Sequence, residues 1–400
     1  MTCAVLGAMG GTVRRAVRGV VGRRLPAVLA SLTLVGQAWA AAPAAPLPAG
    51  APHAATRAAM AAVVRAGVPG VVARTRADGR VWGAASGTAA LTAPGPPRQR
   101  GRFRIGSITK TFVATVVLQL EAEHRLRLSD PVERRLPGVV RGYGYDGRRI
   151  TVRQLLNHTS GIFDYTDDPA LRRRLSEREF PAHRFAVHTP SSLVATALAH
   201  RPLFAPGRGW SYSNTNYLLA GMVVERVTGH PYADEIERRV LRPLHLRATS
   251  LPGRSSALPR PMGRGYVRLP GEGGGSALHD VTALSPTAAG AAGEMISTTG
   301  DLDAFLRALL GGRLLPRRQL AEMLTTVDTH TKDAGRYGLG IGERTLSCGV
   351  TLWGHDGAVP GWMAAVGVTR DGRRSAVFVL DALGVVRGSR PLFEAEFCGG

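Results

Sequence analysis

Alternating apolar and polar residues predict two short strands at 70–87, in the segment GVVARTRADGRVWGAASG. The Asp78-Gly79 pair between the two runs is a strong hairpin signal, because both residue types accept the backbone of a tight turn. Further along, apolar residues occur on nearly all sides of the stretch from Ser107 to His124. This pattern predicts a buried central helix with Ser107 at its N-terminus.

Helical periodicity dominates the middle of the chain, from about residue 130 to 285, where Pro and Gly divide it into short segments. Alternating patterns return from about residue 336, with a second hairpin signal at Asp371-Gly372. Because strand patterns lie at both ends of the chain, we expect an α+β fold: one antiparallel sheet flanked by helices, with an all-helical insertion subdomain. A small-molecule site is expected in the cleft between the sheet and the insertion.

The N-terminal forty residues contain five arginines and no acidic residue, with the apolar run AVLASLTLVG and then Ala-Trp-Ala at 38–40. This order is typical of a signal peptide, 1–40, and predicts a secreted protein, by an export route that the arginine pairs leave open. A retained membrane anchor is the alternative, although roughly 18 apolar residues are needed to span a bilayer. The chain after residue 40 is expected to begin with a linker at 41–55. An α/β subdomain would follow, built from 56–129 and 286–400, with a mainly helical subdomain at 130–285 between its two parts.

The chain is strongly basic, with a formal net charge of +22. A basic surface favours anionic partners, which for a secreted protein include cell-wall polymers and lipid headgroups. The arginines are scattered, however, which favours a compositional bias over a dedicated binding face. The sequence shows no nucleic-acid-binding motif, no second transmembrane candidate and no metal-ligand spacing of the HExxH type. We therefore expect no nucleic-acid partner, no transmembrane anchor, no metal and no cofactor.

Lysine is rare in this chain: of 51 basic residues only Lys110 and Lys332 are lysines. Lys110 follows Ser107 by three residues, so the two side chains share one face of the predicted helix. A serine hydroxyl is a weak nucleophile until a base takes its proton. A buried lysine can lose its proton, whereas an arginine cannot. Ser107 is therefore a candidate nucleophile with Lys110 as its base, although this pattern alone also fits an ordinary polar lysine.

Two further motifs follow in order along the chain. The segment GWSYSNTNY places Tyr212 two residues before Asn214, and LWGHDGAVPGW places His355 two residues before Gly357 on a predicted strand. The series SxxK, YxN and HxG resembles the serine penicillin-recognising hydrolases, in particular the class C β-lactamase-like branch. Other segments resemble secreted D-alanyl-D-alanine carboxypeptidases across nearly the whole chain after residue 40: QLLNHTSGIFDY, FAPGRGWSYSNTNY, ISTTGDLDAFL, YGLG, LSCGVTLWGH and EAEFCGG.

The resemblance implies a β-lactamase/transpeptidase-like fold and a role for each motif residue. Ser107 would form an acyl-enzyme, and Lys110 and Tyr212 would share the role of base, with the nearby ammonium lowering the pKa of the phenol. Which of the two takes the serine proton stays open. Asn214 would bind the substrate amide and Lys110, and His355 would complete a proton relay to the leaving group.

The resemblance also implies an oxyanion hole formed by the backbone N–H groups of Ser107 and Ala358. Gly357 would let a substrate lie close to this strand. Two cysteines, Cys348 and Cys398, remain once the signal peptide is removed. In an oxidising compartment they are expected to form a disulfide, with two free buried thiols as the alternative.

One departure from the carboxypeptidase pattern concerns the grip on a terminal carboxylate. Asp356 and Ala358 stand where hydroxyl residues are usual, and Gly342 stands where an arginine is expected. An Asp356 side chain facing the cleft would repel a carboxylate, and Arg344 is the residue able to compensate.

The predicted function is a secreted serine hydrolase acting through an acyl-enzyme, as a D-alanyl-D-alanine carboxypeptidase on peptidoglycan-type peptides. The alternatives are an esterase, a D-amino-acid amidase or a β-lactamase of the same fold, acting on a small ester or amide. A non-catalytic penicillin-binding sensor is the alternative outside enzymes. We expect β-lactams to act as acylating inhibitors and the protein to be a monomer.

Overall fold

The computed structural model describes residues 52–92, 95–270, 276–331, 335–386 and 388–399. The predicted signal peptide and most of the predicted linker lie outside these residues. No helix in the described ranges is both long and apolar enough to cross a membrane. The first described helix begins at Ala54, so it starts two residues inside the predicted linker.

The helices are α1 Ala54–Arg65, α2 Thr109–Ala122, α3 Val132–Arg135, α4 Val152–Leu156, α5 Pro169–Leu175, α6 Phe180–His183, α7 Pro190–Leu198, α8 Asn214–Thr228, α9 Tyr232–Ile236, α10 Thr299–Leu310, α11 Arg317–Met323 and α12 Arg390–Cys398. The strands are β1 Gly70–Ala77, β2 Arg80–Gly87, β3 Phe103–Arg104, β4 Arg141–Gly142, β5 Tyr145–Asp146, β6 Tyr266–Pro270, β7 Ser276–Asp280, β8 Ile296–Ser297, β9 Val327–Asp328, β10 Arg336–Tyr337, β11 Gly342–Thr345, β12 Thr351–Val359, β13 Trp362–Thr369, β14 Arg374–Leu380 and β15 Ala382–Leu383.

The described residues form an eight-stranded antiparallel sheet in the order β2-β1-β14-β13-β12-β11-β10-β9. Strands from both ends of the chain therefore meet at the β1–β14 pair, as the sequence predicts. The first predicted hairpin is confirmed, since Ala77 pairs with Arg80 and leaves a two-residue turn. Asp78 and Gly79 have φ angles of 47° and 83°, which suit the twist of the adjoining strands.

The second hairpin has a longer turn than the Asp-Gly signal alone indicates. The last paired residues of β13 and β14 are Val368 and Ser375. Within the turn, Gly372 has a φ angle of 71° and its N–H donates to the Thr369 carbonyl at 2.8 Å. The signal therefore predicted the position of the turn but not its length.

Two apolar layers cover the sheet. On one face α1 and α12 pack against the central strands, where the Phe393 ring lies edge-on to Phe378 with ring centroids 5.1 Å apart. On the other face α2 and α10 pack together, with the rings of Phe112 and Phe305 stacked 3.6 Å apart. Helix α2 is buried at nearly every position, so it is the predicted central helix.

The region 130–285 is mainly helical but not all-helical, which corrects the sequence prediction. β4 and β5 form a short hairpin, and β6 and β7 form a three-stranded sheet with β15. β6 pairs in parallel with β15, a strand that follows it by more than a hundred residues. A five-residue strand whose partner is so distant carries too weak a local period to be separated from the surrounding helical pattern.

Cys348 and Cys398 form a disulfide that connects α12 to the turn before β12. The pair closes a loop of 50 residues, so on the chain-entropy model it stabilises the fold by about 4 kcal/mol. We expect the double variant Cys348→Ser/Cys398→Ser to lose roughly this amount in denaturant unfolding. The wild type with excess reductant is the matched control and should unfold at the same midpoint as the variant. A loss below about 1 kcal/mol would contradict the entropic account.

Candidate active site

Ser107 and Lys110 lie side by side at the start of the central helix. Ser107 occupies a short 3₁₀ turn, Gly106–Ile108, that leads directly into α2. The turn forms because Gly106 adopts a φ angle of +53°, which a side chain would disfavour. One turn later the Lys110 Nζ lies 3.0 Å from Ser107 Oγ, so the predicted Ser-Lys pair is within hydrogen-bond distance.

The Lys110 amine is fully buried and has three polar neighbours. Besides Ser107, its Nζ donates to Asn214 Oδ1 and to the Ala292 carbonyl, both at 2.7 Å. Burial lowers the pKa of Lys110 to about 7, against the opposing effect of the Asp164 carboxylate. The carbonyl and the amide oxygen can only accept, so they hold the two N–H groups of the neutral amine. Its lone pair then faces the Ser107 hydroxyl, which is the arrangement a general base requires.

Asp164 is a site residue that the sequence analysis missed. Its Oδ2 accepts from the Asn214 backbone N–H at 3.0 Å and from Asn214 Nδ2 at 2.8 Å. Burial raises the pKa of this carboxyl, partly offset by hydrogen bonds that include the Asn214 N–H. Asp164 thereby orients the Asn214 amide with its oxygen toward Lys110. The segment SGIFDY contained the only signal for this residue, as part of the family resemblance.

Tyr212 presents a buried hydroxyl that has no hydrogen-bond partner among the described residues. Lys110 Nζ lies 4.8 Å from the centre of its ring. Burial raises the pKa of the Tyr212 phenol above its usual value, and the nearby Ser107 hydroxyl offsets only part of this. The expectation that a neighbouring ammonium lowers this pKa is therefore wrong, because desolvation dominates. A phenol that keeps its proton is suited to donate it.

His355 lies on β12 as predicted, but both of its ring nitrogens are occupied. Nδ1 lies 2.5 Å from the Asp356 carbonyl and Nε2 lies 2.8 Å from the Tyr337 hydroxyl. Burial, followed by the charge of Lys110, lowers the pKa of His355 to about 4. In this arrangement a neutral ring donates to the Asp356 carbonyl and accepts from the Tyr337 hydroxyl. His355 thus lies in the wall of the site with both ring nitrogens engaged, and its part in a proton relay to the leaving group stays a prediction.

The rings of His158 and Tyr337 pack near the ring of Tyr212. The centroid of the fully buried His158 ring lies 4.3 Å from that of Tyr212 and 5.0 Å from that of Tyr337. His158 Nδ1 accepts from the Ser213 backbone N–H at 3.2 Å and from Asn216 Nδ2 at 3.3 Å. These bonds hold the backbone between Tyr212 and the following asparagine. Neither His158 nor Tyr337 was singled out from the sequence, although the segments QLLNHTSGIFDY and YGLG contain them.

Two glycines bring the backbone of β12 against the turn that carries Ser107. A Cβ atom on Gly357 would lie 1.9 Å from the Ile105 carbonyl oxygen and 3.1 Å from the Ser107 nitrogen. A Cβ atom on Gly106 would lie 2.7 Å from the Ala358 nitrogen. The backbone of the turn around Ser107 therefore packs directly against β12 at Gly357 and Ala358, the two segments that the predicted oxyanion hole combines. The close approach also explains the glycine at 357, because a side chain there would collide with the turn around Ser107 even when no substrate is bound.

Two cavities meet at Ser107 and Ala358, which line both of them. The aromatic cavity, of about 400 Å³, is lined by Trp210, Tyr212, Tyr337 and His355, together with Arg344 and Asp356. The basic cavity, of about 270 Å³, is lined by Arg174, His183, Arg184 and His188, together with Asn214. A bound substrate with its carbonyl carbon at Ser107 would extend into both.

Asp356 faces the aromatic cavity and is neutralised there by Arg344. The Arg344 Nη2 donates to Asp356 Oδ2 at 2.8 Å, and the Ser389 hydroxyl donates to the same oxygen at 3.2 Å. Gly342 is the first residue of β11 and pairs with Gly354 of β12. It stands where the carboxypeptidase pattern has a carboxylate-binding arginine. Among the described residues that line this cavity, Arg344 is the only arginine or lysine. The ranges that the structure describes contain no group of three acidic, His or Cys residues able to hold a metal.

A protein-family model described as Beta-lactamase matches residues 53–396 of the chain. Penicillin-binding protein 4* of Bacillus subtilis (strain 168) is 32% identical over 166 residues, which cover 41% of this chain and 33% of that protein. Protein flp of Staphylococcus aureus (strain NCTC 8325 / PS 47) is 32% identical over 150 residues, covering 37% and 28%. The chain therefore matches about a third of the length of these curated relatives.

Two solved structures extend the similarity over most of the chain. A D-stereospecific amidohydrolase from Streptomyces sp. has a TM-score of 0.81 and 51% sequence identity, covering 87% of this chain and 99% of that one. The D-amino acid amidase from Ochrobactrum anthropi SV3, complexed with D-phenylalanine, has a TM-score of 0.73 and 27% identity, covering 86% and 99%. The chain thus resembles proteins named for two chemistries, penicillin binding and D-amide hydrolysis.

Proposed function

The chain belongs to the Beta-lactamase family and is a serine hydrolase of that fold; from this premise we propose that it is an amidohydrolase of D-amino-acid amides. The reaction passes through an acyl-enzyme on Ser107. The relatives named above as amidohydrolase and amidase support the amide bond and the D configuration. The D-alanyl-D-alanine carboxypeptidase activity expected from the sequence becomes the second candidate.

Acylation begins with neutral Lys110. Its lone pair takes the proton of Ser107 as the serine oxygen attacks the amide carbon. The negative charge that develops on the substrate oxygen is stabilised by the backbone N–H groups of Ser107 and Ala358. Lys110 becomes an ammonium at this step, and the carboxylate of Asp164 favours that charge.

The leaving amine receives its proton from Tyr212, because the Tyr212 hydroxyl is the unpaired donor beside Ser107. The Lys110 ammonium then gives its extra proton to the Tyr212 phenolate, so that both groups end the step as they began. Water hydrolyses the acyl-enzyme with Lys110 again acting as the base. In this scheme Lys110 is the base and Tyr212 the acid, and the low pKa of Lys110 together with the raised pKa of Tyr212 supports this order.

The observation that carries the amidase proposal is the pairing of Arg344 with Asp356. A carboxypeptidase must bind the terminal carboxylate of its leaving group, and the leaving group lies on the side of Tyr212, in the aromatic cavity. The one described arginine there is already neutralised by Asp356. Uncharged leaving groups, such as ammonia from an amide or an alcohol from an ester, fit this cavity better.

The proposal is tested by comparing D-phenylalanine amide, L-phenylalanine amide and a peptide ending in D-Ala-D-Ala under the same conditions. We expect turnover of the D-amide, at least about a hundredfold slower turnover of the L-amide, and little release of D-alanine from the peptide. The variant Ser107→Ala is the control for background hydrolysis. Preferred hydrolysis of the peptide would replace the amidase assignment by the carboxypeptidase.

The pH dependence of kcat/KM should report the ionisation of Lys110. Because the base must be neutral, the rate should rise with pH through about 7, the pKa of Lys110 in the free enzyme, and then level off. The Asp164 carboxylate raises this pKa, so Asp164→Asn should move the rising limb to lower pH. If kcat/KM rises at the same pH in that variant, or falls with pH through this range, Lys110 is not the general base.

We further propose that the protein acts outside the cytoplasm as a monomer and that β-lactams acylate Ser107. The disulfide between Cys348 and Cys398 supports an oxidising compartment. N-terminal sequencing of the protein recovered from culture medium should begin after Ala40. Mass spectrometry after exposure to penicillin should find one added penicillin, on the peptide that contains Ser107.

A further inference from the structure

The substrate's two halves occupy different cavities, and the position of the proton donor determines which half lies in which. The leaving amine must reach Tyr212, and Tyr212 lines the aromatic cavity but not the basic cavity. The acyl half therefore extends from Ser107 into the basic cavity. The side chain of a D-amino-acid amide would contact the residues that line it.

The lining of the basic cavity carries positive charge that is only partly neutralised. It includes two arginines and two histidines, and none of its described lining residues is Asp or Glu. The nearby Glu179 neutralises part of this group, since it lies 3.6 Å from Arg174 Nε and 4.0 Å from His183 Nε2. Burial and the charge of Arg174 lower the pKa of His188, so this imidazole is neutral near pH 7.

Arg184 is the cation of this cavity that lacks a carboxylate partner. Its Nη1 donates to the backbone carbonyl of Asp280 at 3.2 Å, and it makes no ion pair with any described residue. The side chain is half-buried: its Nε is closed to a ligand and its Cζ lies 4.8 Å from the centre of the Phe185 ring, so the Nη groups are the donors that a carboxylate could reach. The carboxylate of Asp280 is engaged by Arg264, with a nitrogen–oxygen distance of 3.0 Å. A half-buried guanidinium with free donors is suited to bind a carboxylate.

We propose that the basic cavity selects acyl groups that carry a carboxylate, with Arg184 as the residue that recognises it. This inference rests on the proposed amidase function and names its substrate class: D-amino-acid amides with an acidic side chain, in preference to cationic ones. A lysine-like side chain would bring a second positive charge against Arg184 and Arg174. An acidic side chain would give Arg184 the partner that it lacks.

The test uses four amides that differ in side-chain charge: the α-amides of D-glutamic acid and D-glutamine, D-lysine amide and D-phenylalanine amide. The measured quantity is the ratio of kcat/KM for the glutamic acid amide to that for the nearly isosteric glutamine amide. We expect a ratio of about 10 in the wild type and the lowest kcat/KM for D-lysine amide. A ratio near 1, or a preference for D-lysine amide, overturns the proposal.

Two kinds of variant distinguish an effect of Arg184 on this ratio from an effect of the protein's net charge. Arg184→Gln should reduce the ratio to about 1, and Arg184→Lys should retain part of it. Arg148→Gln is the matched control, because Arg148 is 79% exposed and lines neither cavity. Its substitution gives the protein the same net charge as Arg184→Gln does. The ratio in the control should equal that of the wild type. An unchanged ratio in Arg184→Gln overturns the role of Arg184.

Two further outcomes keep the test decisive. If Arg184→Gln fails to fold, the wild-type ratio should still fall about twofold or more between low salt and 0.5 M NaCl, because salt screens a half-exposed pair. A ratio independent of salt then contradicts the proposal. Hydrolysis of the glutamine and phenylalanine amides without a carboxylate preference refutes this inference alone. Failure to hydrolyse any of the four amides refutes the amidase function and this inference with it.

Discussion

Replacing Lys110 by arginine should lower kcat/KM by roughly 10⁴-fold, because a permanent cation would replace the neutral amine that acts as the base. An arginine keeps its proton near neutral pH, so it cannot take the proton of Ser107. Lys110 can, because full burial lowers its pKa to about 7. The measurement is kcat/KM on D-phenylalanine amide, together with the rate at which penicillin labels Ser107.

A larger guanidinium in a fully buried site could also disturb the fold, so a second variant is needed. Lys110→Met has nearly the same length and removes both the charge and the cost of burying it. We expect Lys110→Met to be as inactive as Lys110→Arg and to remain folded, with a lower thermal midpoint because Asn214 Oδ1 and the Ala292 carbonyl lose their donor. Turnover within about tenfold of wild type in either variant would mean that another group takes the serine proton.

Replacing Tyr212 by phenylalanine should cost roughly 10³-fold in kcat/KM and nothing in stability. Apart from the neighbouring Ser107 hydroxyl, the Tyr212 hydroxyl has no hydrogen-bond partner among the described residues, so its removal should cost the fold little. Removing a buried unpaired polar atom should leave the free energy of unfolding unchanged or raise it by up to about 1 kcal/mol. Loss of activity without loss of stability is the expected signature of a proton donor.

Tyr217→Phe is the matched control for this variant. Tyr217 is a buried tyrosine whose ring centre lies 5.5 Å from Lys110 Nζ, and its hydroxyl donates to the Leu156 carbonyl at 2.7 Å. Its loss should destabilise the fold by about 1–2 kcal/mol and change kcat/KM by less than about tenfold. If Tyr212→Phe kept its activity, or if the two variants showed the same pattern, Tyr212 would not be the acid.

The sequence by itself determined the parts of the protein that depend on near neighbours in the chain. The Asp78-Gly79 hairpin and the buried helix after Ser107 follow from local turn chemistry and from the apolar pattern. The Ser-Lys pair follows from helical spacing, which brings residues three apart onto one face. The motif order SxxK, YxN and HxG was sufficient for the family, whose model matches 53–396.

Only the tertiary structure decided the charge states and partners in the site. Lys110 contacts Asn214 and Ala292, which are 104 and 182 residues away in the chain. Its pKa depends on how far the folded protein excludes water from the amine. The same dependence raised the pKa of Tyr212 when the sequence argument predicted a lower one. Burial is a property of the whole fold, so no local pattern contains it.

Other contacts in the site have the same origin. The Tyr337 hydroxyl lies 2.8 Å from His355 Nε2, a contact between two strands, β10 and β12, that no local pattern predicts. Arg344 and Asp356 meet across neighbouring strands and neutralise each other. The sequence determined which chemistry-bearing residues the chain contains. The fold determined which of them meet and how far each is removed from water, because both depend on contacts between distant parts of the chain.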